Sequence, residues 1–412
     1  MEDPKKLYEE RRDRIMKAIH LEKPDRVPIA PKMGNFYAQG YGVSMYNMII
    51  DMRNCKASLR QFLTDYQPDM VLTPSSYSLN TMEAADAKYL AWPGPECGIE
   101  LNSMTQAIGE SYLEDDEIDE FILDPTHTVL TKVIPRKCGN LAGFSKLYLR
   151  DPGDKRLLSS LKKFADPDVK KAIEWATRAG EAQIAYDETC KETYAIIKEM
   201  GFPKRNSVSQ SCPFDSYADN IRGVTQTVMD TVMYPEQLDE VMKIMTATTV
   251  KNTKETVLKK KPDFLYIPMH CGMDGFMSPD SYARFYWPGL KALVEAMVEV
   301  NVVPILFCQG KYFTRFDFLS SLPKGKVAFM FEQTDMKVAK ERLGDVGCLF
   351  GNVSTTALAY GKPQEVIDET KKLIDTCAGG GGFIMDCSIV IDNVRHENLH
   401  AMFDTTLTYG KY

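Results

Sequence analysis

Residues 264–316, which read FLYIPMHCGMDGFMSPDSYARFYWPGLKALVEAMVEVNVVPILFCQGKYFTRF, decide the fold. The runs 264–268 and 302–307 are short and apolar, as expected for strands that are buried on both faces. Between them, Ser278 is suited to cap a helix and Pro279 to occupy its first position. Parallel strands joined by a helix carry their C-terminal ends on one edge of a sheet. The stretch therefore predicts a strand–helix–strand unit whose functional residues follow the two strands.

The rest of the chain repeats this unit. Further strands are predicted at 26–30, 70–73, 206–211, 327–331, 348–352 and 382–385. Strands that alternate with helices in this way predict an α/β fold, a (β/α)8 TIM barrel. A helical extension at 7–23 precedes the first strand. A segment at about 85–150 breaks the alternation and predicts an insertion, with a hairpin near 88–112, in a single domain that spans residues 1–412.

Composition argues against several classes of partner. The 412 residues are 44% hydrophobic and 26% charged, with a formal net charge of -7 and no long basic run, which argues against nucleic acid. No apolar run approaches the roughly 18 residues of a membrane span, and the polar N-terminus does not resemble a signal peptide. The ten cysteines show no CxxC spacing. We therefore expect reduced thiols in a cytoplasmic protein.

Several segments resemble the uroporphyrinogen decarboxylase superfamily. They are RRDRIMKAIHLEKPDRVPI (11–29), CPFDSYADNIRGVTQTVMDTVMYPEQLDEV (212–241), GFMSPDSYARFYWPGLKALV (275–294), GNVSTTALAYGKPQEV (351–366) and GGGFIMDCSIVIDNVRHENLHAM (380–402). The resemblance covers nearly the whole chain. It implies a TIM barrel, commonly a homodimer, and one of two activities. These are decarboxylation of a tetrapyrrole and methyl transfer to or from a corrinoid, usually with zinc.

The segment after the first strand distinguishes these activities. Decarboxylases of the superfamily carry several arginines there to hold the substrate carboxylates, whereas residues 31–39 hold one lysine and no arginine. Methyltransferases that act on thiols carry His-x-Cys after the fifth strand, where this chain has Phe307 and Gln309. The chain more closely resembles the branch that demethylates a small methylated substrate onto a corrinoid protein. O-demethylation of a methoxylated aromatic is the expected reaction.

Three alternatives stay open at the level of sequence. The chain could be a tetrapyrrole decarboxylase, or it could transfer methyl from a corrinoid to a thiol or folate. It could also be a binding protein for a corrinoid or small aromatic that has lost catalysis. The third possibility is suggested by the metal-binding motif, because the His-x-Cys of the thiol methyltransferases is not found at its usual position after the fifth strand.

Candidate catalytic and metal-binding residues follow the predicted strands. His270 could protonate the leaving group and Asp274 could orient its ring. Gln309 stands where the demethylating branch has an acidic residue. His270, Cys308 and Cys387 could hold zinc with one open position. The alternatives are a structural hydrogen bond for His270 and simple burial for the two cysteines.

Aromatic and polar residues after the strands could form the wall of a pocket for an aromatic substrate. Core packing is the alternative for about half of them. The residues are Asn35, Phe36, Tyr37, Phe214, Tyr217, Phe307 and Tyr312.

Overall fold

A computed structural model of the chain describes residues 3–109, 111–148 and 157–412. Strands β1 (Leu90–Ala91) and β2 (Gln106–Ala107) form a short antiparallel pair. Six further strands form a parallel sheet in chain order. They are β3 (Val208–Ser209), β4 (Phe264–Met269), β5 (Val303–Cys308), β6 (Ala328–Phe331), β7 (Cys348–Phe350) and β8 (Phe383–Ile384).

Two extended segments close this sheet into a ring. Ile29 pairs in parallel with Met385 beside β8, and Val71 pairs in parallel with Lys204 ahead of β3. The two segments also meet each other, since the Asp69 amide donates to the Ile29 carbonyl at 2.7 Å. The ring has eight parallel positions, which confirms the predicted TIM barrel. β4 and β5 pair in parallel over six residues, as the crossover helix requires.

The first two barrel positions are single bridges rather than ladders. Pro28 and Pro31 lie in the first of them, and proline cannot donate a ladder hydrogen bond. The buried Asp69 carboxylate supplies other links, because it accepts from Arg14 at 2.7 Å and from Arg26 at 2.7 Å. It also accepts from the Ile29 amide at 2.8 Å. Side-chain hydrogen bonds therefore support the part of the barrel where the ladder is thinnest.

Helices surround the ring. The longer ones are Pro4–Ile19, Lys56–Tyr66, Leu79–Ala85, Pro167–Glu199, Val224–Met233, Pro235–Lys260, Trp287–Glu299, Met336–Leu343, Thr355–Tyr360, Pro363–Cys377 and His396–Tyr409. Shorter α-helical segments are Phe36–Gln39, Met45–Ile50, Ile118–Leu123, Pro125–Thr128, Ile134–Lys137, Leu157–Ser160, Pro213–Tyr217, Pro279–Ser281 and Phe316–Leu319. Within the described ranges, no helix combines the length and the apolar character needed to cross a bilayer.

The first helix differs from its predicted span of 7–23. It begins earlier because the Asp3 side chain caps it by accepting from the Lys5 amide at 3.0 Å. It ends at Ile19, and Leu21 then takes a positive φ of 64° that stops the helix.

Alternation along the strands separates two layers of core. On β5, Val303, Ile305 and Phe307 pack inside the barrel, with the first helix closing its lower end. Leu306 and Cys308 pack outside, against the surrounding helices. This period of two decides which side chains can reach the barrel mouth.

The segment between the second and third barrel positions packs beside the mouth. It contains the expected hairpin, as β1 and β2. Arg222 fastens it to the helical stretch after β3, because Arg222 donates to the Leu113 carbonyl at 2.6 Å and to Asp230 at 2.8 Å. The Tyr112 amide adds a bond to the Ile221 carbonyl at 3.1 Å. These links hold the segment against the elements that carry the candidate site.

Candidate functional site

The C-terminal ends of the strands form the mouth of the barrel. Partly exposed polar side chains follow several of these strand ends. His270 follows β4, and Gln309, Glu332 and Asn352 follow β5, β6 and β7. The Gln309 amide donates to the Met269 carbonyl at 3.0 Å, which keeps Gln309 level with His270. The Asn352 side chain donates to the Glu332 carbonyl at 3.3 Å. The mouth therefore combines an imidazole, a carboxylate and two amides.

An aromatic floor lies beneath His270. Tyr266 and Pro268 precede it by four and two residues on β4, so they face the same way, and both are partly exposed. The ring of Tyr266 stacks on the ring of Phe307, with centroids 6.2 Å apart. A flat ligand that enters the mouth would meet the partly exposed ring of Tyr266, with the buried ring of Phe307 packed behind it.

His270 forms a hydrogen-bonded pair with Asp219. Its Nε2 lies 2.9 Å from Oδ1 of Asp219, and the two side chains are 35% and 34% exposed. Burial of the ring works against its charged form, but the hydrogen bond to Asp219 and the nearby charge of Asp215 outweigh it and raise the pKa of His270. The shift favours the protonated imidazole, which is the form that a proton donor requires.

Asp219 reaches His270 from the helical stretch after β3. Asp215 lies one turn earlier, in the helix Pro213–Tyr217, and Asp219 lies in the π-helical turn Ala218–Arg222 that continues it. Residues four apart share one face of a helix. The stretch therefore presents two carboxylates to the end of β4, one buried and one partly exposed.

Asp215, His270 and Cys271 form a compact group of potential metal ligands. One ligand atom from each lies within 4.8 Å of the others. The buried Asp215 carboxylate accepts from the Cys271 amide at 3.0 Å and from the Tyr286 hydroxyl at 2.7 Å. Burial raises the pKa of Asp215, and burial together with the Asp215 charge raises the pKa of the Cys271 thiol. Carboxylate, imidazole and thiol are the donor types of protein zinc sites, so the group fits zinc with one position left open.

The zinc set predicted from sequence, His270 with Cys308 and Cys387, is not assembled in the structure. Cys308 is the last residue of β5, so strand alternation turns it outward, and it is fully buried against the helices. Cys387 is also fully buried, and its Sγ lies 3.1 Å from the Ile389 carbonyl oxygen. Among the described residues, only the group with Asp215 and Cys271 meets the spacing of a metal site around His270.

Strand alternation alone would predict that Cys271 points away from His270. It fails at Cys271 because β4 ends at Met269 and the chain turns at residues 271–272. Adjacent side chains point to opposite sides only while the backbone stays extended. In the turn, the side chains of His270 and Cys271 both lie near Asp215, within the group of potential metal ligands.

Asp274 does not orient His270, and this prediction is corrected. The partner of the imidazole is Asp219. Asp274 instead accepts from the Thr314 hydroxyl at 2.6 Å and from the Thr314 amide at 3.2 Å. It ties the loop after β4 to the loop after β5. Since the two residues are four apart in a turn rather than a helix, their spacing gave no reason for contact.

The predicted substrate-binding aromatics are engaged in packing. Phe36 and Tyr37 contact Phe62, with centroids 6.3 Å and 4.9 Å away. Phe214 packs on Tyr286 at 5.6 Å, and the Tyr312 hydroxyl donates to the Met269 carbonyl at 3.1 Å.

Phe307 is the aromatic of this set that packs inside the barrel, and the rest face the helices. Tyr217 packs on Phe121 at 5.6 Å. Asn35 is buried too, with its amide on Met104 of the hairpin region. A loop residue beside the barrel is usually closed in by the helices around it, so packing accounts for most of the set.

Sequence reasoning missed Asp215 and Asp219. The segment CPFDSYADN (212–220) follows the strand predicted at 206–211, and Phe214 and Tyr217 are the residues predicted there to bind substrate. The usable signal was the pair of acidic residues four apart just after a predicted barrel strand. Lys137, from the segment before β3, was missed as well. It donates to the Asn220 carbonyl at 3.1 Å, and burial lowers its pKa.

Comparisons with known proteins agree with the barrel. The model of the family "Uroporphyrinogen decarboxylase (URO-D)" matches residues 206–409. Among solved structures, a methyltransferase from Methanosarcina mazei is similar over 97% of this chain and 98% of that one, with 16% sequence identity and a TM-score of 0.61. This likeness shows a shared fold.

The other comparisons add little. A B12-independent methionine synthase from Shewanella sp. W3-18-1 is similar over 53% of this chain and 64% of that one, with 9% identity. Its TM-score of 0.37 is too low to indicate a shared fold. No protein of curated function matches the sequence.

Proposed function

This chain belongs to the uroporphyrinogen decarboxylase family, and on that premise we propose that it is a corrinoid-dependent methyltransferase. It would take a methyl group from a small methylated substrate, a methoxylated aromatic, and pass it to the cobalt of a corrinoid protein. The observation that carries the proposal is the His270–Asp219 pair at the barrel mouth, above an aromatic floor. Cleavage of an ether leaves an anionic oxygen, and a protonated histidine can neutralise it.

The alternative reaction of the family, tetrapyrrole decarboxylation, fits the charges of the barrel less well. Several fixed cations are needed to hold a substrate with many carboxylates. The segment after the first barrel position offers Lys32 alone, and it is fully buried and paired with Asp386 at 3.0 Å. Arg205 is also fully buried, and it contacts the same carboxylate at 3.4 Å. Neither cation is exposed to a substrate at the mouth.

The protein's part in the reaction is to place the substrate and supply a proton. The ring of Tyr266, supported from behind by Phe307, would hold the aromatic ring of the substrate and set its methyl group toward the open side of the mouth. The corrinoid cobalt supplies the nucleophile that accepts the methyl. As the carbon–oxygen bond breaks, the proton of His270 passes to the leaving oxygen, which becomes a hydroxyl. Because Asp219 holds Nε2, the nitrogen assigned to the substrate is Nδ1.

As a second candidate for the same step, we propose that Asp215, His270 and Cys271 bind zinc, in which case the metal, and not a proton from His270, would neutralise the leaving oxygen. The three donors fit the ion by type and by spacing. A bound zinc would act as a Lewis acid toward the leaving oxygen. Asp219 would then orient the liganding imidazole, since ligating histidines commonly donate their second nitrogen to a carboxylate.

The test is a methyl-transfer assay with the whole protein. The protein is mixed with a reduced corrinoid protein and, in separate reactions, with methoxylated aromatics, methylamines and methylated thiols, and the cobalt absorption spectrum is followed. The proposal predicts conversion with methoxylated aromatics. Conversion with methylamines or thiols alone would overturn the assigned substrate class, and no conversion with any donor would overturn the methyltransferase assignment.

A further inference from the structure

A cavity lies at the N-terminal end of the barrel, away from His270. Its volume is about 560 Å³, within the usual range for small-molecule sites. The first helix begins there and the helices Pro167–Glu199 and Pro235–Lys260 end there. Asp263 lines it immediately before β4, and His270 follows the other end of that strand. At 3.3 Å per residue, the two sites are about 20 Å apart along the strand.

Lysines dominate the lining of this cavity. The five that contribute to it are Lys5, Lys198, Lys204, Lys260 and Lys261. None of their ammonium groups forms a hydrogen bond or an ion pair with any residue of the described ranges. The one carboxylate in the lining, Asp263, is already occupied by Arg12, with N–O distances of 3.0 Å and 2.6 Å. The cavity therefore concentrates positive charge in a protein of net charge -7.

Helix dipoles do not cancel this charge. Two helix C-termini reach the cavity, and each carries about half a negative charge, while the first helix adds about half a positive charge at its N-terminus. Set against five ammonium groups, these partial charges leave a net charge of about four to five. Lysines at helix C-termini are favourable, but a set of five exceeds what two such termini require.

Two of the lysines stand in positions that are unfavourable without an anion. Lys204 is partly buried with its ammonium 5.6 Å from the centroid of the Tyr194 ring, and burial together with the charge of Lys198 lowers its pKa. Lys5 lies in the first turn of a helix, which is the wrong end of the dipole for a cation, and the nearby Asp3 carboxylate is used in capping the helix. Both positions would be stabilised by a bound anion.

We propose that this cavity binds an organic phosphate that carries at least two phosphate groups and a flat ring, the chemistry of a nucleoside di- or triphosphate. Lysine binds phosphate as a point charge, and the lining contains no arginine fork of the kind that suits carboxylates. Tyr8 is partly buried in the wall and supplies a ring for stacking. Charge and size thus match a phosphorylated ring compound better than a bare anion.

The binding test uses calorimetry on the whole protein at low salt. The ligands are ATP, inorganic triphosphate, adenosine and citrate. Saturable binding of ATP, much weaker binding of adenosine and citrate, and weaker binding at high salt are expected. Absence of saturable ATP binding would overturn the proposal. Equal affinity for inorganic triphosphate would overturn the assignment of an organic ligand.

Variants locate the site. The double substitution Lys198→Met and Lys204→Met keeps much of the side-chain stem but removes two charges, and it should weaken ATP binding at least tenfold. Lys259→Met is the matched control, since Lys259 is exposed beside Lys260 but does not line the cavity, and it should leave the affinity unchanged. Equal affinity of the double variant and wild type would contradict the assigned location.

Two further variants guard against indirect effects. If the first pair lowers the melting temperature, Lys5→Met with Lys260→Met tests the same cavity from its exposed edge. Tyr8→Leu should weaken ATP binding and leave triphosphate binding unchanged. A Tyr8→Leu protein that binds ATP like the wild type would remove the ring from the proposal. None of these readouts depends on the methyl-transfer reaction.

Discussion

Two groups of charged residues lie in the barrel, one at its mouth and one in its interior, and they differ in their access to water. Asp219 and His270 are each about one third exposed and face the mouth. Lys32, Arg205 and Asp386 are fully buried in the barrel, where Asp386 lies 3.0 Å from Lys32 and 3.4 Å from Arg205. The Asp219–His270 pair is therefore in contact with solvent, whereas the group of Lys32, Arg205 and Asp386 is excluded from it.

The difference separates a site that can react from one that supports the fold. The carboxylate of Asp386 accepts from the Lys32 amide and from the Cys387 amide, both at 2.7 Å, so it links the first barrel position to the chain after β8. Two buried cations share this one carboxylate, and Nε of Arg205 finds no partner among the described residues. At the mouth, by contrast, Nε2 of His270 is paired with Asp219, and Nδ1 has no hydrogen-bond partner among the described residues.

The largest expected effect is on stability, from Asp386→Asn. The substitution keeps the shape of the side chain but leaves two buried cations uncompensated, which should cost about 3–5 kcal/mol in the free energy of unfolding. Urea denaturation measures it. Asp219→Asn is the control at the mouth, and because Asp219 is partly exposed its cost should stay below about 1 kcal/mol. Equal costs for both variants would erase the distinction between the two groups.

The next effect concerns zinc. Cys271→Ser removes one of the three proposed ligands and should lower zinc affinity about a hundredfold or more, since even outer partners of a site contribute 10–100-fold. Cys308→Ser is the matched control, because Cys308 is buried outside the barrel. Elemental analysis after dialysis against buffered zinc gives the metal content. Wild-type protein without zinc, or equal loss in both variants, would contradict the proposed ligand set.

A smaller effect is expected on the pH dependence of methyl transfer. The proton-donating form of His270 exists below its pKa, so activity should fall as pH rises through that pKa. Asp219 helps to raise the pKa, and Asp219→Asn should therefore move the alkaline fall in kcat/KM to lower pH, with about a tenfold loss in rate. The comparison is a pH–rate profile of both proteins. An unshifted alkaline limb would show that Asp219 does not set the protonation of His270.

The contribution of His270 to the stability of the protein should also decrease as pH rises. A histidine whose pKa is raised on folding stabilises the protein fully below its unfolded pKa of about 6.5 and loses that contribution as pH rises through the folded value. Wild type should thus lose more stability than Asp219→Asn across the neutral range.

The barrel could be predicted from sequence because its signals are local. Apolar runs such as 264–268 and 302–307, with helices between them, mark strands regardless of what they later contact. The position of His270 after β4 follows from the same pattern. Its neighbour Cys271 could not be placed, because alternation depends on where the strand ends, and a shift of one residue exchanges inside for outside.

The partners of the site depend on contacts between distant residues. Asp219 lies 51 residues before His270, and nothing in the intervening sequence fixes their distance. Two lysines of the cavity at the N-terminal end of the barrel, Lys260 and Lys261, belong to a run of three. The other three, Lys5, Lys198 and Lys204, are far from it in sequence, so the pattern of charges does not reveal the cavity. Charged residues that are far apart in sequence form a site only when the folded barrel brings their elements together, so such a site cannot be predicted from local patterns.

The central claim is that His270 donates the proton for demethylation at the mouth. The most direct measurement is single-turnover methyl transfer from a methoxylated aromatic to a reduced corrinoid protein, followed by the cobalt spectrum, for wild type and His270→Gln. His20→Gln is the control, because His20 is exposed in the chain after the first helix. The account predicts that His270→Gln is slower by about 10²–10⁴-fold with an unchanged melting temperature, and that His20→Gln matches wild type. A His270→Gln protein that transfers methyl as fast as wild type would contradict it.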